Sequence, residues 1–188
     1  MNILSYKDVP QLRHAIAAIA NPRDIRVLFV CLGNICRSPA AEGLMLEAVA
    51  ENADKGWTID SAGIGGWHVG DLPDPRMRAH ARRRGIELRH VCRQVRESDF
   101  DNFDLIFGMD DSNVSDLLRL APTVEAAGKV LRMAHLLSDH DRFDHIPDPY
   151  YDGAQGFETV LDLLDEATRN LYDTVKASLR PAGATSLA

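Results

Sequence analysis

The sequence has little of three things, and each shortage excludes a class of protein. Only three cysteines occur in 188 residues, too few for a disulfide framework, which favours a reducing, cytoplasmic compartment. No apolar run approaches the roughly 20 residues of a membrane span, and the apolar stretch near the N-terminus is too short for a secretory signal. Positive charge is scarce, with 21 Lys and Arg against 28 Asp and Glu, which argues against binding to nucleic acid.

What the sequence does contain is enough apolar residues, 45% of the chain, for one domain with a sizeable core. Four apolar runs have the length and composition of buried strands, and helical patterns separate them; the runs are 25–31, 57–61, 103–109 and 129–133. This alternation predicts a three-layer α/β fold, with an open, twisted, mostly parallel four-stranded sheet and helices on both faces.

The same patterns divide the chain into three parts. We expect an N-terminal extension over 1–24 with a short helix, a single domain over 25–179, and a flexible tail over 180–188. Within the domain, Asp74 followed by Pro75 predicts the start of a helix that ends at Gly85, and Ser112 is a candidate cap for another.

The segment after the first predicted strand has the properties of an anion-binding loop. Residues 31–39 read Cys-Leu-Gly-Asn-Ile-Cys-Arg-Ser-Pro. Gly33 and Asn34 tolerate positive φ, so the loop can curl and point its backbone N–H groups inward. The helix that follows adds the partial positive charge of its N-terminus. No Gly-Lys-Ser/Thr follows, which argues against nucleotide binding of the Walker type.

A thiol and a guanidinium lie at the two ends of this loop. The helix N-terminus, the loop amides and the Ser38 hydroxyl together can stabilise Cys31 as a thiolate, the form that attacks phosphorus. The planar fork of Arg37 matches two phosphoryl oxygens and can stabilise their charge in the transition state. The pattern therefore predicts nucleophilic chemistry on a phosphate ester.

The full string, Cys-x5-Arg-Ser with Leu-Gly-Asn-Ile-Cys inside it, resembles the phosphate-binding loop of the low-molecular-weight protein tyrosine phosphatases. The resemblance covers about residues 25–178. It implies an enzyme without metal or cofactor that hydrolyses phosphotyrosine-type monoesters of protein substrates through a phosphocysteine intermediate. The residues it implies for the phosphate-binding loop, besides Cys31 and Arg37, are Leu32, Gly33, Asn34, Ile35, Cys36 and Ser38.

A proton donor for the leaving phenolate is expected from another segment. Residues 146–151 read Ile-Pro-Asp-Pro-Tyr-Tyr, and the two prolines restrict the backbone on either side of Asp148. The resemblance implies that Asp148 is the general acid and then the general base for hydrolysis of the intermediate.

The resemblance also implies supporting residues around the loop. Ser61 and His90 correspond to a hydrogen-bond network that holds the loop, and Asp110 corresponds to a residue that orients the arginine. Trp67, Tyr150 and Tyr151 correspond to the walls of the substrate cleft, with packing into the core as the alternative for each. A regulatory kinase acting on Tyr150 or Tyr151 is a further implication.

The remaining cysteines are assigned different roles. The resemblance implies that Cys36 forms a reversible disulfide with Cys31 that protects it from overoxidation; the alternative is a small buried side chain. Cys92 has no evident partner in the sequence and is interpreted as structural. Neither paired-cysteine nor paired-histidine spacing for zinc occurs.

Two other functions stay open on these residues. An arsenate reductase of the same fold would use Cys31 on arsenate and needs a relay of thiols. The sequence offers only Cys92 downstream, which argues against a self-contained relay but leaves one assisted by glutathione open. A noncatalytic phosphate-binding protein would keep the loop, yet it has no need of Asp148. The oligomeric state is left open.

Overall fold

The computed structural model describes residues 10–139 and 142–179. Its centre is one four-stranded sheet in the order β2-β1-β3-β4, and the described strand pairs are all parallel. The predicted α/β class and four-stranded sheet are therefore confirmed. The strands are β1 Ile25–Cys31, β2 Trp57–Gly63, β3 Leu105–Gly108 and β4 Val130–Arg132.

The central strand β1 is covered on both faces, which explains why it is a continuous apolar run. Val27, Phe29 and Cys31 point into one core cluster, and Leu28 and Val30 into the other. This is the alternation of faces that a strand imposes on successive side chains. β1 pairs with β2 along its whole length, from Ile25 opposite Trp57 to Cys31 opposite Gly63, so both strands end at the same edge.

Helices cover the two faces of the sheet and complete the three layers. The larger core cluster contains the buried side of α2 and α7, and the smaller one contains buried residues of α4, α5 and α6. The helices are α1 Pro10–Ala17, α2 Arg37–Glu51, α3 Pro75–Arg83, α4 Asp99–Asn102, α5 Asp111–Leu120, α6 Val124–Ala127 and α7 Ala154–Ser178.

Of the two helix caps predicted from the sequence, the one for α3 is confirmed and the one for α5 is not. Asp74 caps α3 by accepting a hydrogen bond from the backbone of Arg76, and Gly85 follows the helix at positive φ, as predicted. The prediction for Ser112 is wrong. The N-cap of α5 is Asp110, whose side chain accepts from the backbone N–H of Asn113 at 2.8 Å.

Helix α1 lies against the domain. Leu12, Ile16 and the following Ile19 are buried in the same core cluster as α7, and the side-chain amide of Gln11 donates to the Val130 carbonyl at 2.9 Å. The first nine residues of the predicted extension and the predicted tail, 180–188, lie outside the described residues. None of the described helices is long and apolar enough to cross a membrane.

Candidate active site

The candidate site lies where β1 ends and α2 begins. Cys31 is the last residue of β1 and Arg37 is the first of α2, so the intervening five residues form a tight loop at the carboxyl edge of the sheet. Asn34 has φ of 57°, in the left-handed region, where asparagine is among the few residues tolerated. The loop thus curls at the position that the sequence indicated.

Asn34 is the centre of a buried hydrogen-bond network beneath the loop. Its side-chain amide donates to the hydroxyls of Ser38 at 3.0 Å and Ser61 at 2.9 Å. Its carbonyl oxygen lies 2.8 Å from Nε2 of His90 and accepts from the backbone of Arg93 at 2.9 Å. Since the residue is fully buried, all four bonds are made away from water, and losing one leaves a polar atom unpaired.

Two carboxylates that the sequence analysis missed continue this network. Nδ1 of His90 lies 2.9 Å from Oε2 of Glu42 and 3.6 Å from Oδ1 of Asp60, and the Ser61 hydroxyl donates to Glu42 at 2.7 Å. Among the described residues, Glu42, Asp60 and His90 form the one group spaced closely enough to hold a metal ion. Its atoms are already bonded to one another and to the loop, which favours a supporting role.

All three thiols of the chain are free and buried, and they lie in or against the loop. The sulfur of Cys31 is 3.1 Å from the Ser38 hydroxyl. Burial raises the pKa of the Cys36 thiol far above its ordinary value. Cys92 has a partner that the sequence did not reveal, because its thiol donates to the backbone carbonyl of Asn34 at 2.8 Å.

Arg37 is held by three oxygen acceptors from distant parts of the chain. Nη1 donates to Asp110 at 2.6 Å and to the Ile146 carbonyl at 3.1 Å, and Nη2 donates to Asp148 at 2.8 Å. Burial by itself lowers the pKa of the guanidinium, but Cys31, Asp148 and Asp110 outweigh it and the net pKa is raised. The guanidinium is therefore held in the site by these bonds, with Nη2 bonded to Asp148.

Asp148 comes from a segment that meets the loop from the opposite side. It precedes a short 3-10 turn, Pro149–Tyr151, and caps it by accepting from the backbone of Tyr150 at 3.2 Å. The other carboxylate oxygen accepts from Arg37. The side chain is 42% exposed, so it can reach both the arginine and solvent.

These elements enclose one pocket of about 250 Å³. Trp67 and Tyr151 line it and are 72% and 94% exposed, which excludes packing in the core, and the ring of Tyr150 forms an edge-to-face pair with Tyr151. The lining residues are Cys31, Leu32, Gly33, Ile35, Cys36, Arg37, Trp67, His68, Asp148, Tyr150 and Tyr151.

The wall that carries Trp67 depends on a glycine. A Cβ added to Gly65 would lie 1.9 Å from the indole ring, so only glycine lets the ring lie against this loop. His68 also lines the pocket, beside Gly33. The sequence analysis missed His68, although its position directly after a predicted wall residue was the available signal.

The comparison with known proteins agrees with this geometry. The family model described as low molecular weight phosphotyrosine protein phosphatase matches residues 26–180. The chain belongs to this family. The resemblance inferred from the loop and from the Asp-Pro-Tyr-Tyr segment is thereby confirmed, together with the enzyme class, a protein tyrosine phosphatase.

Individual members of the phosphatase family show the extent of the likeness. Low molecular weight phosphotyrosine protein phosphatase 1 of Drosophila melanogaster is 47% identical over 136 residues, which is 72% of this chain and 86% of the relative. The crystal structure of a protein tyrosine phosphatase from Entamoeba histolytica matches with a TM-score of 0.78 at 39% identity, covering 82% of this chain and 98% of the other. That of a Drosophila arginine phosphatase matches with a TM-score of 0.77 at 32% identity, covering 81% and 98%.

Proposed function

We propose that this phosphatase hydrolyses phosphotyrosine in protein substrates, with Cys31 as nucleophile, Arg37 as the phosphoryl-binding cation and Asp148 as the acid and base. The observation that carries the proposal is the convergence of these three side chains on one pocket. They come from the end of β1, the start of α2 and the segment before α7, and all three line the same pocket of about 250 Å³.

The chemistry takes place in two displacements. The Cys31 thiolate attacks phosphorus while the bond to the phenolate oxygen breaks, and Asp148 gives its proton to that oxygen. The phosphocysteine is then attacked by water, whose proton goes to the Asp148 carboxylate, and the released electron pair restores the thiolate. The loop amides and Arg37 stabilise the charge on the phosphoryl oxygens in both steps.

We expect the bond between Arg37 and Asp148 to weaken when substrate binds. In the free protein, Nη2 pairs with Asp148, while Nη1 is fixed by Asp110 and the Ile146 carbonyl. A phosphoryl dianion in the loop weakens this pair, because it attracts the guanidinium and repels the Asp148 carboxylate. We expect binding to release Asp148 toward the leaving group while Asp110 keeps the guanidinium in place.

The aromatic walls favour phosphotyrosine as substrate. Trp67 and Tyr150 line the pocket in which the phenyl ring of a phosphotyrosine must lie. Contacts between aromatic rings stabilise such complexes. Phosphoarginine is the second candidate, since one structural relative is a Drosophila arginine phosphatase. The planar guanidinium of phosphoarginine can also lie on an aromatic face. Arsenate reduction has less support, because the only further thiol, Cys92, is bonded to the loop backbone.

We also infer that the enzyme works in the cytoplasm under redox control. Peroxide would oxidise the Cys31 thiolate to a sulfenic acid, and Cys36 would displace water from it to close a disulfide. Burial raises the pKa of the Cys36 thiol, which makes it a poor first target for peroxide and leaves it as the second, resolving thiol. Finding no linkage between Cys31 and Cys36 by mass spectrometry after mild peroxide would contradict the inference, with Cys36→Ala as the control. Phosphorylation of Tyr150 or Tyr151 by a kinase stays a prediction.

Steady-state kinetics test the proposal. p-Nitrophenyl phosphate, a phosphotyrosine peptide and a phosphoarginine peptide are compared on the wild type and on Cys31→Ser, Asp148→Ala and, as a matched acidic control on α7, Asp173→Ala. We expect no turnover by Cys31→Ser, a loss of about 10²- to 10⁴-fold in kcat for Asp148→Ala on the peptide, and normal activity in the control. Full activity in Cys31→Ser would overturn the mechanism.

A further inference from the structure

Among the described residues, most of the exposed large apolar side chains belong to the segments that line the pocket or are hydrogen-bonded to them. Ten large hydrophobic residues are exposed among those the structure describes, and seven of them belong to the loops around the pocket. Four of the seven line the pocket itself. The other three, Val69, Leu72 and Val91, are 57%, 50% and 57% exposed and take no part in the chemistry derived above. We call these three the outer patch.

The outer patch is fixed relative to the pocket. The loop that carries Val69 and Leu72 is bonded to the phosphate-binding loop at both ends, by the backbone of Gly65 on the Leu32 carbonyl at 2.8 Å and of Asp74 on the Ile35 carbonyl at 2.8 Å. The outer patch therefore keeps a constant position beside the site, as a docking surface requires.

Val91 belongs to the same surface through its neighbour in the chain. The Gly70 backbone donates to the Cys92 carbonyl at 2.8 Å, and the Cys92 backbone donates to the Asp71 carbonyl at 2.9 Å. These two bonds join the chain around Val91 to the chain between Val69 and Leu72. Trp67, which lines the pocket, is two residues before Val69 in the same loop, so the outer patch begins beside the pocket wall.

We propose that the outer patch binds an apolar side chain of the substrate polypeptide, two or three residues from the phosphotyrosine. The inference rests on the proposed function: a phosphotyrosine seated in the pocket is part of a chain that must leave across the rim. An extended chain advances about 3.3–3.6 Å per residue, so two or three residues span roughly 7–10 Å. Val69 is two residues from Trp67 in the chain, so their Cα atoms are at most about 7 Å apart, within that reach.

The apolar character of the outer patch also selects against charged flanking residues. The nearby charges do not favour one sign, since Asp71 lies 3.6 Å from Nδ1 of His68 and Arg89 is exposed two residues before Val91. A glutamate in the flanking position of the substrate would lose hydration against the apolar surface, which is unfavourable. The preferred substrate therefore carries leucine, valine or an aromatic residue there.

A peptide series tests this on the unmodified enzyme. The parent is a phosphotyrosine peptide with serine at the three positions on each side, and leucine or glutamate replaces one serine at a time. We expect leucine at two or three residues from the phosphotyrosine, on one side, to raise kcat/KM about three- to tenfold, since an open patch buries part of one aliphatic side chain. Glutamate in that position lowers it.

Substitution assigns the preference to the outer patch. The double variant Leu72→Asp with Val91→Asp should lose the leucine preference, measured as the ratio of peptide to p-nitrophenyl phosphate kcat/KM. Val124→Asp on α6, where valine is 85% exposed, is the matched control and should keep it. Should the double variant fail to fold, Leu72→Ser supplies the same comparison.

The outcomes separate this inference from the proposed function. Equal rates for leucine and serine peptides at every position, or a leucine preference that persists in the double variant, would overturn the role of the outer patch while p-nitrophenyl phosphate is still hydrolysed. Absence of p-nitrophenyl phosphate turnover in the wild type would instead overturn the proposed function itself.

Discussion

The two halves of the candidate site are built differently. The phosphate-binding loop is buried, and its centre, Asn34, makes four hydrogen bonds out of contact with water. The opposite half, with Asp148 and the aromatic walls, is exposed, and Trp67 and Tyr151 have most of their surface in solvent. The difference teaches that phosphate binding is set by a buried, hydrogen-bonded framework, while the side chains that meet the rest of the substrate contribute little to the packing of the fold.

The largest effect is expected from the buried half. Asn34→Ala removes four hydrogen bonds and leaves at a left-handed φ a residue whose side chain cannot stabilise that conformation. We therefore expect the free energy of unfolding to fall by about 2–4 kcal/mol. We also expect kcat/KM to fall about 10²-fold or more. Chemical denaturation and p-nitrophenyl phosphate kinetics measure the two.

A second substitution separates backbone from side chain in this half. Asn34→Gly keeps the backbone conformation available and removes only the hydrogen bonds. Asn102→Ala, at the exposed end of α4, is the control and should change neither quantity. If Asn34→Ala retained wild-type activity and stability, the contrast between a buried framework and an exposed wall would be lost.

The contact between the two halves predicts a gain of affinity. Asp148→Asn removes the charge that competes for Arg37, so inorganic phosphate should bind about tenfold more tightly, from the loss of one charge-assisted bond in the free protein. Calorimetric titration in the Cys31→Ser background, with and without Asp148→Asn, measures this. Unchanged or weaker binding would mean that the resting ion pair does not oppose the ligand.

A smaller effect is expected from the exposed wall. Trp67→Ala removes ring contact with the substrate but almost no core packing, so KM for p-nitrophenyl phosphate should rise about fivefold with little change in Tm. Thermal unfolding and kinetics on one preparation suffice. A fall in Tm as large as that of Asn34→Ala would show that the wall is part of the framework.

The smallest effect is expected outside both halves. Glu158 joins α3 to α7, and bonds from Arg84 first, then from His80, lower its pKa to about 2. Its stabilising contribution is thus complete above its unfolded pKa of about 4.5 and is lost as the pH falls toward 2. Because the pairs are partly solvated, Glu158→Gln should cost about 1 kcal/mol at pH 7.

The test of this remote ion pair is a pH series. Unfolding free energies of the wild type and Glu158→Gln should differ at pH 7 and converge between about pH 5 and pH 2, with activity at pH 7 unaffected. A difference that stays constant over this range would assign the effect to packing.

Local signals in the sequence were sufficient where neighbouring residues decide the outcome. The apolar run of β1 was predicted to the residue, because a strand covered on both faces is apolar at nearly every position. Arg26 is the exception and pairs with Asp104 at 2.8 Å. Other boundaries shifted: β2 runs two residues beyond its predicted end, to Gly63, and the α5 cap is Asp110 instead of Ser112. Caps depend on which side chain reaches the free N–H groups, which spacing alone does not reveal.

The sequence by itself determined the chemistry of this protein: the fold class, the curled loop between β1 and α2, and the identity of a thiol, a guanidinium and a carboxyl able to act on a phosphate ester. Only the tertiary structure decided which distant groups meet them. Glu42 and Asp60 on His90, Cys92 on the loop backbone, Asp148 on Arg37 and His68 at the pocket all lie far apart in sequence or carry no local pattern. Hydrogen bonds and ion pairs act over a few ångströms, so such contacts exist only once the sheet has brought its strand ends together.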